Sequence, residues 1–274
     1  MRVAIFSDVH GNPYACEAVL NAIEKDAADN GEFHYVIAAG DHCSAGSDPV
    51  RCIELLREAR VSCLYGNMDE VILFEDDKEP TDPTEKSFWW RNKEVIAWLR
   101  KKIGSEGLAW MRSLSFGVRI SPTPDPTDDL LVVHANPKDV DRKIMPPIEE
   151  QKKIFAPGNK QEKILGRSLG RQFQPDDDPG LVDIMDGVTA SVIAFGHFHY
   201  SSIRHWRDKM LVNVGPCNIS PNDEDKRARY CVFTWTGTKW EVQRMFVPYD
   251  TSLEAPALRA SGMPHADHYA KYND

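Results

Sequence analysis

The first 65 residues alternate short apolar runs with longer segments of helical periodicity. The runs at 2–7, 34–39 and 61–65 are rich in aliphatic residues and too short for helices, so they predict buried strands. Segments 13–28 and 48–60 each open at or beside a proline, a residue tolerated in the first turn of a helix. This β-α-β-α-β order predicts a largely parallel sheet covered by helices.

The pattern changes after residue 70. A charged and aromatic stretch at about 70–115 carries apolar residues at near-helical spacing, which predicts an inserted helical element whose tryptophans pack in a core. A polar stretch at about 136–178, interrupted by prolines, predicts a lid-like segment with short helices. Apolar runs at 116–120 and 130–134 predict a pair of strands. Consecutive strands at 191–195, 201–206, 210–214, 229–235 and 241–247 predict a second, mostly antiparallel sheet.

We therefore expect residues 1–249 to form a single domain. The polar segment 250–274 is expected to be a surface helix or a loose tail. His265 and His268 lie in this segment at helical spacing. We interpret them as solvated side chains, because we expect no carboxylate or cysteine to complete a ligand set with them.

Composition and charge narrow the possible partners. The chain has 274 residues, of which 42% are hydrophobic and 27% charged, and this is typical of a globular protein. A net charge of −9, without any lysine- or arginine-rich block, argues against a long nucleic acid as partner. Apolar runs are too short for a membrane span or a signal sequence, so we expect no membrane association and a cytoplasmic location. The six cysteines form no Cys-x-x-Cys pair and are expected to be reduced.

Five short polar motifs each follow an apolar run and carry side chains able to bind metal ions. They read Ser7-Asp8-Val9-His10-Gly11-Asn12, Gly40-Asp41-His42, Gly66-Asn67-Met68-Asp69-Glu70, Val133-His134-Ala135-Asn136-Pro137 and Gly196-His197-Phe198-His199. Because strand ends lie along one edge of a sheet, we expect the motifs to converge. Asp8 and His10 alternate along what we expect to be an extended segment, so both are predicted to bind one ion. Oxygen and imidazole donors without a thiolate suit divalent Mn, Fe, Ni or Zn.

This order of motifs resembles the calcineurin-like metallophosphoesterase superfamily, and the opening Ser-Asp-x-His-Gly-Asn resembles its bacterial phosphodiesterase-like branch. The resemblance spans about residues 1–235. It implies an α/β fold, a two-sheet β-sandwich flanked by helices in four αββα layers, and it implies two divalent metal ions. The implied ligands are Asp8, His10 and His199 for one metal, Asn67, His134 and His197 for the other, and Asp41 as the bridge.

Charge counting agrees with this assignment. Two divalent ions bring four positive charges, and Asp8, Asp41 and a metal-bridging hydroxide remove three of them. The remaining positive charge would receive a phosphate oxygen while the hydroxide attacks phosphorus. We therefore predict a hydrolase that acts on a small phosphoester, with Asn12 and Asn67 as substrate-binding residues.

Met68 stands where family members often carry a histidine that protonates the leaving group, and a thioether transfers no proton. The resemblance implies that relatives without this histidine often hydrolyse activated phosphodiesters, so we expect a small phosphodiester or activated nucleotide as substrate. His42 is a candidate replacement for the missing catalytic acid, with the alternative that its side chain points away from the site. A phosphomonoesterase or protein phosphatase, and a non-catalytic scaffold of the same fold, remain as other candidates.

Further polar residues near the motifs leave alternatives open. Asp69 is either a partner that orients a histidine ligand or a helix N-cap. The predicted lid contains four basic residues that are either phosphate-binding groups or solvated charges: Lys138, Arg142, Arg167 and Arg171.

Overall fold

The computed structural model describes residues 1–74, 83–156, 173–219, 225–271 and 273–274, without the side chains of residues 83–92. Within these residues, ten strands form two five-stranded sheets, and helices flank the pair. The structure confirms the predicted sandwich of two sheets with helices on its outer faces.

The first sheet collects strands from both ends of the chain. Its strands are β1 (Arg2–Phe6), β2 (Tyr35–Ala39), β3 (Ser62–Leu64), β9 (Ala228–Trp235) and β10 (Trp240–Val247). Their order is β10-β9-β1-β2-β3. The pairs β1–β2 and β2–β3 are parallel, as the early alternation predicts, whereas β9 lies antiparallel to both β1 and β10.

The second sheet is mixed rather than mostly antiparallel. It contains β4 (Gly117–Ile120), β5 (Leu130–Val133), β6 (Val192–Phe195), β7 (Ser202–Trp206) and β8 (Lys209–Asn213), in the order β4-β5-β6-β8-β7. Two pairings are parallel, β5–β6 and β6–β8, and two are antiparallel, β4–β5 and β7–β8. The prediction also assigned β9 and β10 to the wrong sheet, because β9 pairs with the otherwise open edge of β1.

Strand β1 shows how the layers are held together. Val3 and Ile5 pack between the sheets with residues of β5 and β6, whereas Ala4 and Phe6 face the helices. Successive side chains of a strand point to opposite faces, so a strand covered on both faces is apolar at every position. This double burial explains the unbroken apolar run at the start of the chain.

Helices cover the outer faces. They are α1 (Pro13–Asn30), α2 (Pro49–Glu58), α3 (Asn67–Phe74), α4 (Pro83–Arg112), α5 (Ile148–Ile154) and α6 (Pro179–Met185). Asn12 and Asp48 cap α1 and α2 with their side-chain oxygens, and a proline follows each cap. Helix α4 is interrupted at Gly104, whose φ of 70° is non-helical. Helices α3 and α4 occupy the predicted insertion, and its Trp98 and Trp110 pack against a buried cluster.

The segment after residue 249 is packed rather than loose. It forms α7 (Glu254–Ala260) and α8 (Ala266–Ala270), whose buried Ala255 and Leu258 contact the cluster formed by α3 and α4. Glu254 is fully buried, and its carboxylate accepts hydrogen bonds from the backbone nitrogen and hydroxyl of Ser47 at 2.7 and 2.8 Å. His265 lies 2.8 Å from Glu94 Oε2. A short polar segment therefore docks through a few apolar residues and one buried acid.

Two further expectations concern cysteines and membranes. All six cysteines are free, and five of them are buried, as expected of small apolar side chains. In the portion of the chain that the structure describes, no helix has both the length and the apolar character needed to cross a bilayer.

The docking of Glu254 predicts a pH-dependent contribution to stability. Burial raises its pKa from the ordinary 4.5 to about 7, although the hydrogen bonds from Ser47 oppose the shift. The folded state thus binds the proton more tightly, so this stabilisation is complete below pH 4.5 and is lost as the pH rises through 7. The unfolding free energy of wild type, measured with urea, should therefore fall by about 2–3 kcal/mol relative to that of Glu254→Gln between pH 5 and pH 8.

The exposed Glu17 on α1 provides a matched control. The change with pH should be larger for Glu254→Gln than for Glu17→Gln, whose side chain is exposed. A difference from wild type that stays constant with pH for Glu254→Gln would contradict the coupling of Glu254 ionisation to its docking at Ser47.

Candidate metal centre

The seven predicted ligands come together where the carboxyl ends of the central strands of both sheets meet. Asp8 and His10 follow the end of β1, Asp41 follows the end of β2, and Asn67 begins α3 shortly after β3. His134 follows the end of β5, and His197 and His199 follow the end of β6. Because β1–β3 are parallel to one another and β5 is parallel to β6, their carboxyl ends share an edge in each sheet.

Three of these side chains form a first triad: Asp8, His10 and His199. The Nε2 atoms of His10 and His199 lie 2.9 Å apart. Asp8 Oδ1 lies 3.3 Å from His199 Nε2 and 3.8 Å from His10 Nε2. All three donor atoms therefore face a common point.

Three others form a second triad: Asn67, His134 and His197. Asn67 Oδ1 lies 3.0 Å from His134 Nε2 and 3.0 Å from His197 Nδ1. Asp41 lies between the triads, with Oδ1 3.5 Å from His134 Nε2 and Oδ2 3.7 Å from His10 Nε2. The two oxygens of one carboxylate thus face the two triads.

Hydrogen bonds on the far side of each ring make the second triad suited to a cation. His134 Nδ1 lies 2.7 Å from the carbonyl oxygen of Ala39, and His197 Nε2 lies 2.8 Å from that of Asp141. A carbonyl only accepts, so these nitrogens carry the protons, and the nitrogens facing Asn67 Oδ1 are bare in the neutral rings. Three lone pairs thus oppose one another at contact distance, an arrangement that a divalent ion between them would stabilise.

The first triad is supported in the same way. His199 Nδ1 donates to the carbonyl of Ile219 at 2.9 Å, which leaves Nε2 free to bind a metal beside Asp8. His10 Nδ1 lies 2.7 Å from Ser44 Oγ. Sequence reasoning missed these supporting groups. A carbonyl is present at almost every position, and only the folded backbone determines which carbonyl reaches a ring.

The backbone at the centre differs from the expected extended form. Five predicted ligands have left-handed φ values between 48° and 62°: Asp8, His10, Asp41, His197 and His199. The prediction that Asp8 and His10 alternate along an extended segment is therefore wrong, although both do face the same point. Such conformations cost energy in residues other than glycine and cluster at functional sites.

Burial and nearby charge set the acid–base properties of the centre. Burial, reinforced by neighbouring histidines, lowers the pKa of His10 and of His197 to about 3 each. Burial raises the pKa of Asp41 well above its ordinary value, and the charges of two neighbouring aspartates add to this shift. His10 and His197 are thus neutral imidazoles near pH 7, and the crowded carboxylates favour a cation between them.

Asp69 supports the backbone around Asp41. It is fully buried, and its carboxylate accepts hydrogen bonds from the backbone nitrogens of Asp41, His42 and Gly66 at 2.8, 3.1 and 3.0 Å. It lies in the first turn of α3 and reaches back to the residue before the helix, as in a capping box. Asp69 therefore differs from both expected roles. It supports the helix start from the third helical position rather than as the N-cap, and it positions the loop of Asp41 rather than a histidine ligand.

The geometry does not favour His42 as a catalytic acid. Its side chain is fully buried, and its Nε2 bonds to the carbonyl of Leu64 at 2.7 Å. The ring packs 5.8 Å from Trp110, measured between ring centroids, on the side of the insertion. His42 follows Asp41 directly, and its ring is directed into the core, where a leaving group has no access.

Asn12 also has a structural role. Its Oδ1 accepts a hydrogen bond from the backbone nitrogen of Ala15, and its Nδ2 donates to Asn218 Oδ1 at 3.2 Å. The residue is fully buried at the start of α1. Its polar atoms are committed to the helix cap and to Asn218, so the expected substrate contact is not supported by its position.

Two of the four basic candidates in the predicted lid, Lys138 and Arg142, are paired with acids. Lys138 lies 3.1 Å from Asp183, and Arg142 lies 2.6 Å from Asp139 and 2.8 Å from Asp183. These pairs do not fit the alternative of uncommitted phosphate-binding groups. The other two candidates, Arg167 and Arg171, lie outside the described residues.

Comparisons with known proteins identify the family. A family model for calcineurin-like phosphoesterases matches residues 1–201. An uncharacterised protein of Methanocaldococcus jannaschii is 25% identical over 264 residues, covering 90% of this chain and 88% of that protein. A hypothetical protein from Pyrococcus horikoshii has a TM-score of 0.73 at 18% identity, covering 98% of this chain and 96% of that one. A metallophosphoesterase from Sphaerobacter thermophilus has a TM-score of 0.60 at 20% identity, covering 100% and 99% respectively.

The chain belongs to the calcineurin-like phosphoesterase family, which confirms the resemblance drawn from its motifs. The matched region contains all seven predicted ligands. The two solved structures share the fold. Family membership supports phosphoester hydrolysis as the class of activity, and the clustered aspartates and histidines are candidate metal-binding residues.

The contacts of Asp69 predict a coupled loss of stability and metal affinity. In Asp69→Asn, a single amide oxygen replaces the two carboxylate oxygens that accept three backbone hydrogen bonds. The unfolding free energy measured without metal should therefore fall by about 3 kcal/mol. Binding of Mn²⁺, followed by calorimetry, should weaken by about 10–100-fold because the Asp41 loop loses its support. The exposed Asp29 provides the control, and Asp29→Asn should leave both quantities near wild type. Wild-type Mn²⁺ affinity in Asp69→Asn would contradict the positioning role.

Proposed function

We propose that this protein is a dinuclear metal-dependent phosphoesterase that hydrolyses a small phosphodiester or an activated nucleotide. One observation carries the proposal: Asn67 Oδ1 lies 3.0 Å from the bare nitrogens of both His134 and His197. Acceptors at these distances repel one another unless a cation lies among them. The first triad offers a comparable group, and the carboxylate of Asp41 faces both.

The charges of the ligands fit a site for phosphate. Divalent ions held there would lower the pKa of a bound water toward about 7 and stabilise negative charge on the phosphate. Asp8 and Asp41 contribute two negative charges, whereas Asn67 and imidazole ligands, which bind a metal in their neutral form, contribute none. Two divalent ions would leave the centre positive, so it would attract a small anion although the chain carries a net charge of −9.

Met68 favours diesters over monoesters. Its backbone nitrogen donates to Asp41 Oδ1 at 2.9 Å, so the residue lies directly beside the centre. Its thioether transfers no proton, and His42, buried against Leu64, does not replace it. Leaving groups that depart without strong protonation are therefore favoured, and activated phosphodiesters provide them.

Two other functions remain candidates. A phosphomonoesterase or protein phosphatase would share the metal chemistry, and kcat/KM for a panel of monoesters and diesters separates these activities. A non-catalytic scaffold would keep the fold without turnover, but the retention of all seven candidate ligands favours an enzyme. About two ions of Mn, Fe, Ni or Zn per purified chain would support the enzyme, and negligible metal would support the scaffold.

The proposed bridge predicts a severe effect of Asp41→Asn. With Mn²⁺ present, hydrolysis of bis(4-nitrophenyl) phosphate should fall by more than about 100-fold, because loss of a direct ligand exceeds the 10–100-fold effect typical of its supporting residues. Asp29→Asn is the matched control, since Asp29 is exposed on α1. Activity of Asp41→Asn close to that of wild type would overturn the proposed site.

The missing proton donor predicts a gain of function. Met68→His should raise kcat/KM for diesters that release phenol by up to about 100-fold, the scale of general acid catalysis, and should change those that release 4-nitrophenol much less. Met68→Leu keeps an apolar side chain and should leave the ratio between the two substrates unchanged. Equal effects of both variants on both substrates would show that a proton donor at this position is not limiting.

A further inference from the structure

A cavity of about 450 Å³ is lined by residues that adjoin the second triad along the chain and through a hydrogen bond. Its wall is formed by Tyr65, Glu70, Phe116 and residues 138–142. This volume falls within the range of small-molecule sites. The cavity adjoins the centre on two sides, since Tyr65 precedes Gly66 and Asn67, and the carbonyl of Asp141 accepts the hydrogen bond from His197. A group attached to a phosphate at the centre is therefore within reach of this wall.

The wall presents two aromatic rings at fixed positions. Tyr65 and Phe116 are half-buried, their ring centroids are 6.0 Å apart, and their planes are inclined by 59°. The backbone holds them side by side, because Tyr65 N donates to the carbonyl of Ser115 at 3.1 Å and Leu64 bridges to Ser115. Rings anchored in this way lose little entropy when a second flat group packs against them.

The charges of the wall select against a second phosphate. Both of its cations are paired, Lys138 with Asp183, and Arg142 with Asp139 and Asp183. Glu70 and Asp141 add exposed negative charge to the same wall. An anionic extension such as a polyphosphate would meet repulsion here, whereas an uncharged ring would not.

We propose that this cavity binds a flat, uncharged aromatic arm of the phosphoester, such as a nucleobase or an aryl ring, against Tyr65 and Phe116. The inference rests on the proposed function for the position of the phosphate. It narrows the substrate class to phosphoesters with at least one aromatic arm, and it makes Tyr65 a specificity-determining residue.

Binding to the Mn²⁺-loaded protein tests the proposal. Calorimetry compares adenosine 5′-monophosphate with ribose 5-phosphate, which shares the sugar and phosphate but lacks the base. The nucleotide should bind at least about five-fold more tightly, the lower end of the range for a base stacked on an aromatic side chain. Tyr65→Leu should reduce this ratio toward one, and Tyr65→Phe should retain it. Tyr35→Leu is the control. Tyr35 is 46% exposed at the amino end of β2, whereas Tyr65 follows the carboxyl end of the neighbouring parallel strand β3.

The outcomes separate this inference from the proposed function. Hydrolysis of bis(4-nitrophenyl) phosphate together with equal binding of the two ligands would overturn the aromatic site alone. Absence of hydrolysis, with a nucleotide preference that Tyr65→Leu removes, would support the aromatic site and overturn the enzyme. Neither hydrolysis nor nucleotide preference would overturn both.

Discussion

The candidate centre depends on lone pairs that are forced toward one another. Backbone carbonyls of Ala39 and Asp141 hold the far nitrogens of His134 and His197, so the near nitrogen of each neutral ring is bare where it faces Asn67 Oδ1. Folding carries the electrostatic cost of these opposed acceptors, and a bound cation would remove it. Metal affinity and stability are therefore expected to be coupled, since an ion that binds only the folded chain stabilises it.

Convergence of side chains from two sheets also requires unusual backbone. A strand that continued straight past its end would carry its next side chains away from the partner sheet, and a left-handed residue turns the chain immediately. Glycines provide the space for this turn. A Cβ at Gly66 would collide with Asp41 Oδ1, and one at Gly196 would collide with Asp8 Oδ2. The glycine before a ligand is thus a packing requirement of the centre.

Local pattern was sufficient to predict the strands, the first helices and the seven converging side chains, because an apolar run, a glycine and a donor occur together in most of the motifs. The pairing of β9 with β1 was not predictable, since it joins the two ends of the chain through contacts that no local pattern encodes. The direction in which each side chain points was also not predictable from the sequence. His42 and Asn12 have suitable chemistry and position in the sequence, but their polar atoms bond to the core and to a helix start.

Recognition in this centre has to come from the residues around the ligands. Two divalent metal ions at the centre would attract any small phosphate, and their charge would distinguish poorly between one ester and another. Selection then depends on neighbours: Met68 offers no proton to a poor leaving group, and the paired Lys138 and Arg142 offer no free charge to a second phosphate. The half-buried rings of Tyr65 and Phe116 in the same wall would favour shape and stacking instead. An acidic surface with a small positive centre would thus discriminate mainly by the organic arm of the ester.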